Sequence, residues 1–103
     1  MAFAFDAELW LWDARADSWT FVSLPTGVAD EILDLSAPFT RGFGSVRVEV
    51  TVGRTTWRTS LFPSKEAGTY VLPVKKAVRQ AERLDVGDTV PIELTLVDLE
   101  PPA

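Results

Sequence analysis

Two residue types that carry much of protein chemistry are missing from this chain of 103 residues, which contains no cysteine and no histidine. Without cysteine there is no disulfide, no thiolate metal site and no cysteine nucleophile. Without histidine, the commonest zinc ligand and the commonest general base near neutral pH are also absent. These absences exclude most familiar small-enzyme chemistries. We therefore expect a non-enzymatic protein with no metal site and no cofactor.

Long hydrophobic runs are missing as well. No apolar run approaches the roughly 20 residues that a membrane span needs, and the start, MAFAFDAELW, has no basic segment of the kind that opens a secretory signal. We therefore expect a cytoplasmic protein without a membrane anchor. The length is that of one domain with a modest core, which we predict over residues 1–100 with a tail at 101–103.

The charge is unevenly distributed along the chain. The formal net charge of -5 argues against attraction of the whole surface to nucleic acid or to an anionic membrane. Between positions 41 and 83, however, nine basic residues stand against three acids, whereas the remainder holds one basic residue and twelve acids. The middle of the chain is thus locally basic inside an acidic protein.

The period of the apolar residues predicts the fold. Alternation or β-branched and aromatic composition predicts strands at residues 3–12, 19–24, 46–52, 56–62, 69–72 and 90–96. Gly53 and Arg54 are predicted to form a two-residue hairpin turn, and Pro63 to end the fourth strand. A short helix is predicted over residues 26–35, and an amphipathic helix with Pro73 in its first turn and Leu84 near its end. This pattern predicts a mainly β (β-rich α+β) protein, a small closed antiparallel β-barrel of six strands.

Two surface features are open to two interpretations each. If Phe5 and Leu9 face inward, Trp10 and Trp12 must face outward, where they form an interface or ligand groove or are covered by the short helix. Lys75, Lys76, Arg79 and Arg83 share the polar side of the second helix. They are either its solvated face, which is the common case, or an anion-binding patch.

Candidate catalytic groups are few. Asp88 follows Gly87, and an aspartate in such a turn usually binds the local backbone. The carboxylates of Asp30, Glu31 and Asp34 lack the spacing of a calcium loop. Ser60 and Ser64 lie near Lys65 without the S-x-x-K spacing of a serine–lysine nucleophile. We predict no catalytic residue.

The order of several segments resembles a known family. The segments FDAEL, SWTFVSLP, VRVEVTV, SLFPSKEAGTYVLPVKKAVRQA and VGDTVPIEL, in this order, resemble the bacterial domain family DUF1905. The resemblance implies a small closed β-barrel and no established reaction. Lys76 and Arg79 look like family-pattern positions, which favours the anion-binding interpretation of the helix. Trp57 stands where the family tends to place a small residue.

These observations lead to two hypotheses about function, beside a third, hydrolysis or isomerisation by carboxylates alone, for which the sequence offers no residue pair. The first is a non-enzymatic barrel that binds a small anionic ligand or a protein partner. Its predicted binding face consists of Arg58, Ser60, Tyr70, Lys76 and Arg79. The second is a DNA-binding transcriptional regulator, because LDVGDTVPIEL is similar to the Gly-Asp turn and strand of AbrB-like proteins. The net charge and the lack of a continuous basic arm argue against nucleic acid.

Overall fold

The computed structural model describes residues 2–14, 17–36 and 44–97, so the predicted tail at 101–103 lies outside the described residues. Within them, eight elements follow one another in chain order: β1 (Ala2–Ala14), β2 (Asp17–Ser23), α1 (Thr26–Ser36), β3 (Val46–Val52), β4 (Thr55–Ser64), β5 (Thr69–Pro73), α2 (Lys76–Glu82) and β6 (Thr89–Leu96). The mainly β prediction is confirmed. Neither described helix has the length and apolar character that crossing a membrane requires.

The strands form the predicted closed antiparallel barrel, and their order around it is β1-β2-β5-β4-β3-β6. β1 closes the barrel because it pairs twice: residues 2–8 lie against β6, and residues 9–14 lie against β2. β4 does the same on the opposite side, since residues 55–61 pair with β3 and residues 62–64 with β5. Each of the six described strands therefore has two hydrogen-bonded neighbours, one on each side, over parts of its length.

The inward residues of the strands form one core. All four valines of β3, at positions 46, 48, 50 and 52, are buried, as the alternation predicts. Trp57 is also buried and lies opposite Val50, so its large ring fills the interior. Each fully buried aliphatic or aromatic side chain contributes about 1.5–3 kcal/mol. The largest fully buried side chains are Leu9, Ile32, Leu61, Leu72, Ile92 and Leu94.

Two predictions about proline are wrong. Pro63 does not end β4, because it still lies opposite Tyr70 in the ladder and the strand continues to Ser64. Pro73 belongs to β5 and lies opposite Phe21, not in a helix. The chain stays extended beyond it because Val74 is buried and its N–H donates to the carbonyl of Thr20. A proline φ near -65° is compatible with an extended strand end.

The second helix is consequently shorter than predicted. Lys75 has extended dihedral angles and precedes the helix, and Arg83 ends it in the left-handed region with a φ of 54°. The helix buries Val78, whereas Ala77 and Ala81 are exposed. Its last residue, Glu82, accepts a hydrogen bond of 2.6 Å from Thr55 Oγ1, which attaches α2 to the start of β4.

Gly53 makes this attachment possible. Its φ of 59° is the positive value that the predicted two-residue turn needs at its first position, and Val52 pairs with Thr55 across that turn. A Cβ atom at position 53 would collide with the Glu82 carboxylate, so glycine also allows α2 to approach the turn.

Candidate functional site

Large aromatic side chains cover the outer surface of one half of the barrel. Trp12 on β1 lies directly opposite Trp19 on β2, and their exposed fractions are 46% and 51%. Phe62 on β4 is 47% exposed. We call the residues that line this shallow hollow of about 320 Å³ the aromatic face: Trp12, Trp19, Phe21, Phe62, Val71 and Pro73. The face extends over β1, β2, β5 and β4, which are consecutive in the barrel.

The short helix does not cover these aromatic residues. α1 buries Ala29 and Ile32 in the core, and half of each tryptophan on the aromatic face stays exposed. Trp10 differs from its neighbours, since its indole Nε1 donates a hydrogen bond of 3.0 Å to Ser23 Oγ and its ring centre lies 5.2 Å from that of Phe21. The interpretation that α1 covers the outward tryptophans is therefore wrong for Trp12.

A basic hollow adjoins the aromatic face. We call it the cationic hollow: it has a volume of about 170 Å³, and Arg58 and Lys75 line it together with Trp19, Trp57 and Pro73. Trp19 and Pro73 belong to both surfaces. Arg58 Nη2 lies 3.6 Å from Glu49 Oε2, and the side chains are 63% and 41% exposed. Such an exposed pair is weak, so the guanidinium remains accessible to an anionic ligand.

The predicted site residues lie in several places. Lys76 and Arg79 line one hollow of about 340 Å³ with Arg83 and Asp85. Arg58 lines the cationic hollow, and Tyr70 lines a cleft beside α1. Ser60 is half-buried on β4 and pairs with Arg47 of β3. The structure thus brings Lys76 and Arg79 together and places the other three residues elsewhere.

The Arg79 side chain has one unusual feature. Its Nε atom is buried and has no hydrogen-bond partner among the described residues. A buried donor without a partner costs roughly 1–3 kcal/mol. Because this atom is inaccessible, a ligand in the adjoining hollow would have to contact another part of the side chain.

Two residues of the cationic hollow were missed by sequence reasoning. Trp19 could have been found from the register, because a hairpin that sets Trp12 opposite Trp19 places both rings on the outer surface. Lys75 was grouped with Lys76 and Arg79 on a helix. The extended backbone at Lys75 separates it from them and places it beside Trp19.

Asp88 and Ser64, two of the residues considered for catalysis, form structural hydrogen bonds. Asp88 Oδ2 accepts a hydrogen bond of 2.8 Å from the backbone N–H of Asp85, which confirms that it binds the local turn. Ser64 Oγ accepts from the N–H of Ala67. No group of three acidic side chains suitable for a metal ion occurs in the parts of the chain that the structure describes. The arrangement offers stacking and charge attraction as its main means of recognition.

Comparison with known proteins gives one match. No curated protein matches the sequence significantly. Residues 5–94 match the family described as "Domain of unknown function (DUF1905)". This match begins in β1 and ends in β6, so it includes all strands of the described barrel. The chain therefore belongs to the DUF1905 family.

Proposed function

We propose that this barrel is a non-enzymatic binding module for a small molecule that combines a flat aromatic ring with a negatively charged group. The observation that carries the proposal is that Trp19 belongs both to the aromatic face and to the cationic hollow. A ring stacked on Trp19 would hold its negative group close to Arg58 and Lys75. The two surfaces would then act as the two parts of one site.

The expected affinity follows from the exposure of these groups. Stacking on an aromatic side chain contributes about 1–3 kcal/mol, and an exposed ion pair about 0.2–1 kcal/mol. Together with apolar contacts to Phe21 and Pro73, these contributions support a dissociation constant on the order of a millimolar. Since Arg58 and Lys75 are both exposed, the affinity should fall as salt concentration rises.

A protein partner is the second candidate. The observation that favours it is that Trp12 and Phe62, each about half exposed, extend the apolar surface on both sides of Trp19 and Phe21. Aromatic residues are enriched in protein interfaces, and exposed apolar patches of this kind often mark them. Small ligands prefer concave sites, so an open sheet surface also suits a larger partner.

The binding face predicted from sequence is only partly retained in this proposal. Arg58 is retained. That Lys76 and Arg79 bind an anion stays a prediction. The carboxylate of Asp85 lines the same hollow and offsets part of their positive charge. Ser60 and Tyr70 also stay predictions, since neither lines the cationic hollow.

The pairing of β6 argues against the DNA-binding alternative. In a swapped-hairpin dimer, a partner chain supplies part of each barrel. Here β6, which contains most of the similar segment, pairs with β1 and β3 of its own chain. The Asp88 carbonyl accepts from the N–H of Leu9, which holds the preceding turn against β1.

Matched pairs of compounds test the proposal. Indole-3-acetate and adenosine monophosphate carry a ring and a negative charge, and indole-3-ethanol and adenosine are their uncharged counterparts. Calorimetric titration at low salt should give saturable binding of both anions, about fivefold or more tighter than that of the uncharged compounds. Binding of none of the four compounds would contradict the small-ligand proposal and leave the protein partner as the better candidate.

Three variants locate the binding. Trp19→Ala should lower the affinity for the anions and for the uncharged compounds alike, by about tenfold, because it removes the stacking surface. Arg58→Gln and Lys75→Met should each lower only the affinity for the anions, by about fivefold or less. Arg54→Gln is the matched control, since Arg54 is exposed in the β3–β4 turn and outside both surfaces. Anion binding that none of the three variants changes would place the site elsewhere.

A further inference from the structure

A second concave site lies between α1 and the hairpin formed by β4 and β5. It has a volume of about 460 Å³, which falls within the roughly 300–1,000 Å³ of small-molecule sites. The helix provides Ala29, Asp30 and Leu33 as one wall, and the hairpin provides Pro63, Lys65 and Tyr70 as the other. Ala29 and Tyr70 are buried and form an apolar floor. We call this site the α1 cleft.

The hydroxyl groups of Ser64 and Thr69 at the hairpin wall form hydrogen bonds within the protein. Ser64 Oγ accepts from the N–H of Ala67, and Thr69 Oγ1 donates a hydrogen bond of 3.0 Å to the carbonyl of Leu24. The charged groups of the cleft are not paired with each other. Among the side chains that the structure describes, neither Asp30 nor Lys65 forms an ion pair, and both side chains are exposed.

The α1 cleft therefore presents one negative and one positive group on opposite walls of an apolar floor. An anion would be attracted by Lys65 and repelled by Asp30, and a cation would experience the reverse. A zwitterion with an apolar body is attracted by both walls, and it buries its apolar part against Leu33 and Tyr70. Among simple ligands, the zwitterion is the one whose charges complement this cleft.

We propose that the α1 cleft binds a zwitterion with an apolar body, of which an apolar dipeptide is the simplest example of suitable size. Its ammonium group contacts Asp30, its carboxylate contacts Lys65, and its side chains lie between Leu33 and Tyr70. The cleft shares no lining residue with the aromatic face or the cationic hollow. The proposal is thus independent of the function proposed above, and either can fail without the other.

Capped dipeptides separate the two charge contacts. Leucyl-phenylalanine is titrated calorimetrically at low salt beside its N-acetyl form, which lacks the ammonium group, and its C-terminal amide, which lacks the carboxylate. The uncapped dipeptide should bind about fivefold tighter than either capped form, as expected for the loss of one accessible ion pair. Failure of all three compounds to bind, or equal affinity of all three, would overturn the proposal.

Variants of the two walls then assign the contacts. Asp30→Asn should lower the affinity of the uncapped dipeptide and of the amide by about fivefold. It should not lower the affinity of the anionic N-acetyl form, which the Asp30 carboxylate repels. Lys65→Met should lower the affinity of the uncapped dipeptide and of the N-acetyl form, and it should not lower that of the cationic amide, which the Lys65 ammonium repels. Leu33→Ala should lower the affinity for all three compounds, because it removes apolar contact and no charge. If Asp30→Asn lowered the affinity for the N-acetyl form as much as that for the uncapped dipeptide, the assigned contact between the ammonium group and Asp30 would be wrong.

Charge-matched controls exclude a general electrostatic effect. Glu31→Gln removes an exposed acid from the same helix outside the cleft, and Arg54→Gln removes an exposed base from a distant turn. Neither should change the affinity of any of the three compounds. Equal weakening by Glu31→Gln and Asp30→Asn would overturn the proposal in favour of nonspecific attraction. Unchanged circular dichroism and urea midpoints would establish that the variants are folded.

Discussion

The two halves of β1 present very different outer surfaces although they belong to one strand. The first half pairs with β6 and carries Asp6 and Glu8 outward, and Glu93 of β6 is exposed opposite Ala4. The second half pairs with β2 and carries Trp10 and Trp12 outward. We call the outer surface of β1, β6 and β3 the polar half of the barrel. The contrasting half, over β1, β2, β5 and β4, contains the aromatic face.

The inner surface of the same strand stays apolar across the junction of the two halves. Phe3, Ala7 and Leu9 are buried in one continuous core, and Leu11, further along the second half, is exposed. Folding therefore accounts for the inward residues and for polar outward residues, but it does not require half-exposed tryptophans. The binding function proposed for the aromatic face would account for this difference between the halves.

The largest expected effect comes from the core beneath the junction of the two halves. Leu9 is fully buried, and its N–H and carbonyl bond to Asp88 and Gly87 at the start of β6. Leu9→Ala should lower the free energy of unfolding by about 2–5 kcal/mol, as measured by urea denaturation, because it leaves a cavity. A loss below about 1 kcal/mol would mean that the core is not shared between the halves as described.

A smaller loss of stability is expected when Trp10 loses its hydrogen bond to Ser23. Ser23→Ala removes the acceptor of the Trp10 indole N–H and should cost about 1 kcal/mol of stability in the same assay. Ligand affinity should not change, because neither Trp10 nor Ser23 lines the aromatic face or the cationic hollow. A loss of affinity at constant stability would extend the binding face to Trp10.

The half-exposed Trp12 should contribute less to stability than a core residue such as Leu9. Trp12→Thr keeps a residue that favours strands and removes a half-exposed ring, so it should lower the free energy of unfolding by about 1 kcal/mol or less. The affinity for indole-3-acetate should nevertheless fall, because Trp12 lines the same hollow as Trp19. A loss of 3 kcal/mol or more, on the order of a core truncation, would mean that the aromatic face is structural.

The polar half should tolerate change with the smallest effect. Glu93→Gln alters an exposed outward residue of β6 and should change stability by no more than about 0.5 kcal/mol. It should leave the affinity for indole-3-acetate unchanged within about twofold, since Glu93 lies on the other half of the barrel. A tenfold change would show that the two halves do not differ in the proposed way.

The strands were predictable because alternation is a local signal. Val46 to Val52 and the turn at Gly53 follow from residue types within a few positions of one another. The start of α2 was not predictable in this way. Pro73 and Val74 have residue types that suit a helix start, but a hydrogen bond to Thr20, more than fifty positions earlier, keeps them extended.

The candidate site was predicted only in part, because it also depends on contacts between residues that are distant in the sequence. The outward direction of Trp10 and Trp12 follows from alternation within β1 alone. The position of Trp19 opposite Trp12 depends on the register of a hairpin. The separation of Lys75 from Lys76 depends on where α2 begins, and that is decided by contacts with β2.

The most direct test of the difference between the two halves is a nuclear magnetic resonance titration of ¹⁵N-labelled protein with indole-3-acetate. The chain contains four tryptophans, whose indole N–H signals are well separated from the backbone signals. We predict saturable shifts of the Trp12 and Trp19 indole signals and of the Lys75 amide, with the Glu93 and Thr95 amides unmoved. Larger shifts at Glu93 and Thr95 than at Trp19, or no shift at all, would contradict the assignment of binding to the aromatic face.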